Sequence, residues 1–337
     1  MFKPIDSKIL PNKADPQDPR MEQLLKHKSP TELDLTVPKE LSLTVPKELS
    51  ITVQGYPDDE GIRLNGGRPG ANLGPDAIRS VFYKMTPWFH LNESKINMQD
   101  LGNLDVANLN LKQRHLAAHR SANDQISQHQ FLFTLGGGHD YGFSDAAGFL
   151  DFHLKLKSPK PIVINFDAHL DVRPSHDQHH SGTPFRRLLE NYSNQFHFLE
   201  VGIQPQCNSI FHLEWLTSQN GQIIHADEID NHGMLPCLRD ALKSMPAQSP
   251  LWISLDIDGF SQDQAPGCSQ SWLRGFRLED FLPSLSFLIQ NFDLNGMGIY
   301  EVSPPLDVDH RTSKLAALIM YETLREKTKS LQTKTSR

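Results

Sequence analysis

Pro161-Ile-Val-Ile-Asn-Phe-Asp-Ala-His-Leu-Asp171 decides the reading of this chain. Ile162 to Phe166 form a short, mostly apolar run, the pattern of a strand covered on both faces. Asp167, His169 and Asp171 then follow at every second position. Alternate residues on a strand point the same way. Past the strand's end that order loosens, so the three side chains can converge. Two other runs end likewise. Phe131-Leu-Phe-Thr-Leu135 leads into Gly136-Gly-Gly-His-Asp140, and Leu251-Trp-Ile-Ser-Leu255 leads into Asp256-Ile-Asp258. Singly, each aspartate could cap a turn or helix after a strand. Together, His139, Asp167, His169, Asp171, Asp256 and Asp258 offer imidazoles and carboxylates without a thiolate. That set suits a pair of hard or borderline divalent cations, Mn(II) best. Carboxylates balance the cationic charge, and two metals sharing ligands activate a water. The three motifs point to a binuclear metal hydrolase.

Outward from these motifs, strand-like runs are expected at 131–135, 161–166, 197–203, 222–225, 250–257 and 296–302, with another at Ile51-Thr-Val-Gln54. Helices are expected at 74–82, 111–129, 143–156, 184–191, 208–218, 234–244 and 278–291, the first with Pro75 in its opening turn. This alternation predicts a three-layer α/β/α fold, with a central, mostly parallel sheet covered by helices on both sides. Ligands in such folds bind at the carboxyl ends of the strands, where all three motifs lie. Gly55 to Ala71 is a loop rich in Gly, Pro and Asp, of a length that goes with function.

The chain has 337 residues, enough for one large α/β domain or two ordinary ones. With 33 basic and 40 acidic residues, its net charge of -7 gives no footprint for nucleic acid. No apolar run is long enough to cross a bilayer, and Met1-Phe-Lys-Pro-Ile-Asp6 lacks the apolar core of a signal peptide. Cys207, Cys237 and Cys268 are far apart and form no C-x-x-C, which argues against a disulfide framework or a zinc–thiolate site. A cytoplasmic location is expected. Residues 1–50 read as an extended or mobile arm. They hold an eight-residue tandem repeat, Leu35-Thr-Val-Pro-Lys-Glu-Leu-Ser42 and Leu43-Thr-Val-Pro-Lys-Glu-Leu-Ser50, too short for a solenoid. Pro38 and Pro46 keep it out of an interior strand. Residues 51–325 are expected to form a single catalytic domain, and 326–337 a polar, frayed tail.

Gly-Gly-Gly-His-Asp, Asp-Ala-His-Leu-Asp and Ser-Leu-Asp-Ile-Asp resemble the manganese motifs of the ureohydrolase superfamily, which includes arginase, agmatinase and formiminoglutamase. Glu301, in Gly298-Ile-Tyr-Glu-Val-Ser-Pro304, resembles that superfamily's substrate-binding glutamate. The resemblance spans about residues 51–325. It implies an arginase-like fold and two Mn2+ per subunit. One ion would be held by His139, Asp167, Asp171 and Asp256, the other by His169, Asp167, Asp256 and Asp258, with Asp167 and Asp256 bridging. Three stretches look most like formiminoglutamase: Asp59-Glu-Gly-Ile-Arg-Leu-Asn-Gly-Gly-Arg-Pro-Gly-Ala71, Asp171-Val-Arg-Pro174 and Ser181-Gly-Thr-Pro-Phe185. On that resemblance the substrate is a linear amidine, N-formimino-L-glutamate, split to L-glutamate and formamide in histidine breakdown. A metal-bridging hydroxide would attack the formimino carbon. Glu301 would pair with the amidinium, and Asp171 would pass a proton to the leaving nitrogen.

A dicarboxylate substrate calls for arginine, whose planar fork fits carboxylates. Arg173, two residues past Asp171, stands where arginase has a neutral asparagine. Arg68 and Arg186 are further candidates, and each also reads as an ordinary surface arginine. Arginase and agmatinase carry a histidine where this chain has Ser181. His180, one residue earlier, is the candidate for that histidine's proton-shuttling role. His176, His179 and His180 also read as solvated loop histidines. Two other departures are Asp140, where formiminoglutamases often show Glu, and the unusual neighbours of Pro266-Gly267. Cys268 there has no recognisable base partner and is not read as a nucleophile. Rival readings are a ureohydrolase of agmatine, arginine or another guanidino acid, a silent binding or regulatory homologue, and a purely structural metal site. Retention of all six ligands argues against silence, and the lack of thiolate argues against a closed structural site. A homo-oligomer is possible by the resemblance.

Overall fold

The computed structural model describes residues 2–11, 18–25, 48–88, 95–156, 159–176 and 178–335. Its strands are β1 (Phe2–Lys3), β2 (Glu48–Gly55), β3 (Lys95–Leu104), β4 (Phe131–Leu135), β5 (Ile162–Phe166), β6 (His197–Ile203), β7 (Gln222–His225), β8 (Pro250–Asp256) and β9 (Asp293–Tyr300). They form one sheet in the order β1-β3-β2-β4-β9-β8-β5-β6-β7. Every pairing is parallel except that of β1 with β3. The helices are α1 (Glu60–Leu64), α2 (Gly74–Phe82), α3 (Leu111–Ser127), α4 (Gly142–His153), α5 (Pro184–Tyr192), α6 (Ile210–Ser218), α7 (Ala226–His232), α8 (Met234–Leu242), α9 (Leu278–Asn291) and α10 (Arg311–Thr335).

Two-residue periodicity divides the strands between two cores. Phe131, Phe133 and Leu135, Ile162, Ile164 and Phe166, and Leu251, Ile253 and Leu255 share one core with Phe82 of α2, Leu238 of α8, Leu285 of α9 and Ile319 of α10. Leu132, Val163 and Trp252 turn the other way, toward Ile126 of α3, Leu150 of α4, Leu188 of α5 and Leu216 of α6. The three layers are those expected.

One row breaks the apolar pattern. Register aligns Gln54, Thr134, Gly298, Ser254, Asn165 and Glu200 across six adjacent strands, β2 to β6 in sheet order. The five with side chains are fully buried. On β4, β9, β8 and β5 this row lies one or two residues short of the carboxyl ends.

Several elements differ from expectation. β3, Lys95-Ile-Asn-Met-Gln-Asp-Leu-Gly-Asn-Leu104, is not among the expected strands, because it lies near the sheet edge and mixes polar with apolar residues. The long loop at 55–71 contains α1 and is tied shut where Asp59 Oδ2 accepts from Gly70 N at 2.8 Å. The described parts of the expected arm are docked: β1 pairs with β3, Met21 is fully buried in the larger core, and Leu25 bridges Met98. Burial of these apolar side chains holds them to the domain. The first copy of the tandem repeat, and Leu43 to Lys47 of the second, lie outside the described residues; Glu48 to Ser50 begin β2. The expected tail is not separate either, since α10 runs unbroken across position 325 to Thr335.

Near that edge, α2 is fastened to β3 by a buried ion pair. Arg79 Nε and Nη2 meet Asp100 Oδ2 and Oδ1 at 2.8 and 3.0 Å. The remaining guanidinium donors reach Asn103 Oδ1 at 2.6 Å and Gly102 O at 2.9 Å. Arg79→Leu should destabilise the protein by about 3–5 kcal/mol, because Asp100 is left buried without its counter-charge. The urea midpoint checks this, and a loss under about 1 kcal/mol would show that Asp100 finds its charge elsewhere.

Candidate metal centre

β4, β9, β8 and β5 are neighbours at the middle of the sheet, and their carboxyl ends deliver the expected residues to one place. His139 opens the turn after β4, Asp167 follows β5, Asp256 closes β8 and Glu301 follows β9. Local turn chemistry orients the two central aspartates. Asp167 Oδ1 accepts from His169 N at 2.7 Å, and Asp256 Oδ1 accepts from Asp258 N at 2.9 Å. Each is left with its other oxygen aimed at His139.

His139 Nδ1 lies 3.2 Å from Asp167 Oδ2, 2.9 Å from Asp171 Oδ2 and 3.2 Å from Asp256 Oδ2. His169 Nδ1 lies 3.4 Å from Asp167 Oδ1 and 3.3 Å from Asp258 Oδ2. Two ligand groups result, His139–Asp167–Asp171 and Asp167–His169–Asp258, with Asp167 common to both. Asp256 sits beside the first. His139 Nδ1 and Asp258 Oδ1 are buried and make no hydrogen bond among the described residues. On the far side of the ring, His139 Nε2 is 2.9 Å from Ser254 Oγ, which can take its N–H and leave the Nδ1 lone pair facing the carboxylates. Lone pairs converging in this way are the complement of a cation. Oxygen and imidazole donors without thiolate fit a pair of hard or borderline divalent ions.

The backbone is strained at two of these residues. Asp171 and Glu301 adopt left-handed conformations, with φ of 49° and 67°, a state that costs about 1–3 kcal/mol and persists only when neighbours enforce it. Asp171 O accepts from Phe185 N at 3.2 Å, and Glu301 N donates to Gly137 O at 2.9 Å. Glu301 Oε1 in turn accepts from His139 N at 3.0 Å. Gly137 is required here, because a Cβ would stand 1.7 Å from Asp58 O.

Charge crowding sets the protonation of the ion-free cluster. Burial opposes charging His139, but contacts with Asp167, Asp171 and Asp256 outweigh it and hold its pKa well above the usual histidine range. His169 is raised likewise against burial, by Asp258 and Asp167. Burial, then Asp258 and Asp167, push Asp256 well up. Burial also lifts Asp258 to about 6, against the pull of His169. The cluster therefore retains protons near neutral pH.

A cavity of about 750 Å³ opens above it, lined by His169, Asp171, Asp256, Asp258 and Glu301, and also by Arg173, His180 and Ser181. Arg173 Nη1 donates to Asn65 Oδ1 at 3.0 Å, and Asn65 Nδ2 donates to Ser181 Oγ at 3.0 Å. Asn65 also lines the cavity. It escaped the sequence reading because nothing local marks it; its partners lie more than 100 positions away. His180 Nδ1 accepts from Gly182 N at 3.2 Å, which places the neutral ring's proton on Nε2. Burial, then Arg173, lower its pKa.

Two expected substrate residues are elsewhere. Arg68 does not line the cavity. Its Nε and Nη2 donate to Ser269 O, and Nη2 also reaches Cys268 O, all at 2.9–3.1 Å. Those carbonyls occupy the Nε–Nη2 edge of its fork, so it fastens two loops together. Arg186 pairs with Glu190 Oε1 at 2.5 Å and lies 3.7 Å over the Trp215 ring, also outside the cavity lining. Nor are the loop histidines all solvated. His179 is half-buried and stacks on His115 with centroids 5.8 Å apart, and only His176 is exposed.

The Arginase family model matches residues 49–325. The chain belongs to the arginase family. Among relatives in that family, the formimidoylglutamase of Clostridium tetani is 32% identical over 283 residues, covering 80% of each chain. That of Streptococcus pyogenes serotype M3 is 30% identical over 274 residues, covering 79% of this chain and 81% of the relative. A crystal structure of Trypanosoma cruzi formiminoglutamase with Mn2+2 is 25% identical, with a TM-score of 0.74 over 83% of this chain and 94% of that one. Formimidoylglutamase from Bacillus subtilis superposes with a TM-score of 0.79 at 22% identity, covering 95% of each chain.

In this arginase-family cluster, a divalent cation must displace the protons held by His139, His169 and the raised carboxyls. Apparent cation affinity should therefore climb from pH 5.5 to 8, by about one decade per pH unit for each proton released. Calorimetry in buffers of unlike ionisation heat measures that release. An affinity flat with pH would mean that the ligands are already deprotonated.

Proposed function

We propose that this protein hydrolyses N-formimino-L-glutamate to L-glutamate and formamide with two Mn2+ per subunit. The observation that carries the proposal is the pairing, in one cavity, of a carboxylate–imidazole floor with Arg173 on the wall. The names of the relatives and the Mn2+ in the Trypanosoma cruzi structure support it.

His139, Asp167, Asp171 and Asp256 would hold one ion, and Asp167, His169, Asp256 and Asp258 the other. When bound, two such ions lower the pKa of a shared water enough to supply a nucleophile at neutral pH. The residues do the rest. Glu301, fixed by His139 N, pairs with the cationic amidinium and aims its carbon at the floor. Burial, then Asp256, push the Glu301 carboxyl well above the usual range, and an amidinium supplies the counter-charge that stabilises its ionised form. Arg173, steered by Asn65 and Ser181, takes a carboxylate of the glutamate end. The bond that breaks joins the formimino carbon to the glutamate nitrogen. As water's oxygen becomes bonded to that carbon, Asp171, on the cavity side of the cluster, would carry the proton the water gives up to the leaving nitrogen, yielding formamide and the glutamate amine. His180, which lines the cavity, is assigned the exchange of protons with solvent.

The catalytic unit is taken as one domain over 51–325, with the docked N-terminal segments and the rest of α10 packed as part of it, in a cytoplasmic enzyme that can form homo-oligomers. No helix among the described residues is long and apolar enough to cross a membrane.

Mn-loaded protein should release glutamate from N-formimino-L-glutamate, with little urea from arginine or agmatine run in parallel. Urea from either guanidine would keep the chemistry and overturn the substrate assignment. Silence on all three would favour a binding role. Asp258→Ala should abolish most turnover with the fold intact by circular dichroism; near-normal turnover would exclude the two-ion centre. Arg173→Ala should raise KM about 10- to 100-fold with kcat less affected, as loss of a charge-assisted contact predicts. An unchanged KM would place the carboxylate elsewhere.

A further inference from the structure

Glu200 takes no part in the chemistry above, yet it ends the polar row fully buried within the sheet. It stands on β6 two positions from Phe198, which packs in the smaller core. A leucine at 200 would suit that face, and a buried glutamate is costly unless something needs it. Glu200 Oε2 accepts from Asn165 Nδ2 at 2.8 Å, and the same nitrogen lies 3.2 Å from Asp167 Oδ2. An amide nitrogen carries two N–H groups, one for each carboxyl. Glu200 Oε1 and Asn165 Oδ1 have no partner among the described residues. A network left half-satisfied detracts from folding stability, so stability alone does not account for it.

The geometry points to Glu200 as a positioning residue of the cation site, fixing the Asn165 amide, which in turn fixes Asp167. The inference rests on the proposal that Asp167 holds the cations. Asp167 is common to both ligand groups, so its orientation governs both. Its Oδ1 is held by the His169 backbone, and Asn165 is what holds Oδ2, the oxygen facing His139. Without Glu200 the amide is free to turn its oxygen toward Asp167, where it would repel. Burial, then the charge of Asp167, push the Glu200 carboxyl well above the glutamate range. A neutral acid accepts through its carbonyl oxygen, and glutamine at 200 offers the same acceptor.

The test is Mn2+ affinity of the full chain by calorimetry, with the melting temperature of the ion-free protein alongside. Glu200→Leu should weaken Mn2+ binding about 10- to 100-fold and keep the ion-free melting temperature. Asn165→Ala should lose a similar factor, and the double variant no more than either alone, since both act through one contact. Glu200→Gln should bind within about threefold of the parent, well inside the loss expected for a broken outer contact. Unchanged affinity in Glu200→Leu, losses that multiply in the double variant, or a glutamine variant as weak as the leucine one would each overturn the inference. A parent protein that binds no Mn2+ would instead overturn the proposed function, before any variant is compared.

Discussion

Four carboxylates crowd onto two imidazoles at the centre of the sheet, and the surrounding structure is organised to make that crowding tolerable. The aspartates Asp167, Asp171, Asp256 and Asp258 are buried or nearly so, and each raises the cost of charging its neighbours. Only positive charge relieves such a cluster: protons when it is empty of ions, divalent cations when it is filled. The strands answer this need geometrically. Parallel neighbours end in step, so side chains from distant parts of the chain arrive together. Turn hydrogen bonds then use one oxygen of Asp167 and of Asp256 and leave the other for the centre.

Rigidity beneath the cluster comes from buried polar contacts. Ser254 holds His139, Asn165 holds Asp167, and Thr134 leads to Asp145. Asp145, inside α4, accepts from Tyr56 at 2.6 Å, from Thr134 at 2.7 Å and from Tyr300 at 2.5 Å, joining β4 and β9 to the segment after β2. Tyr300 stacks on the His139 ring with centroids 4.9 Å apart and planes 28° apart. It also immediately precedes Glu301, so the residue that orients the imidazole sits next to the one assigned to the substrate. The left-handed backbone at Glu301 is held by Gly137 O, which accepts from Glu301 N, while its side chain is held by His139 N, which donates to Oε1.

The wall proposed for recognition is built apart from the cluster. The wall that bears Arg173 is shaped by the 59–73 loop, through Asn65 and through Arg68, whose guanidinium locks that loop to carbonyls 268 and 269. Arg68 thus serves the cavity from behind its lining. In the proposed function, strand ends carry the reacting groups and loops carry the contacts to the glutamate end, a division that lets one fold serve several substrates.

The sequence by itself determined the layers and the floor of the site. Apolar runs at 131–135, 161–166 and 250–257, each closing on Asp or His, mark strands covered on both faces and place the ligands at their ends. Those signals are legible because periodicity and turn chemistry are local, acting over a few residues. A lone polar residue in each run, Thr134, Asn165 or Ser254, was visible too. Its meaning was not, because a hydrogen bond to His139 or an alignment with Glu200 depends on register between strands far apart in sequence. The docking of Met21 and β1, the edge strand β3, the pairing of Asn65 with Arg173 and Ser181, and the withdrawal of Arg68 and Arg186 from the cavity are likewise tertiary. Each is settled by which partner burial and packing bring within 3 Å or so of a polar group, and no residue carries that information in its own neighbourhood.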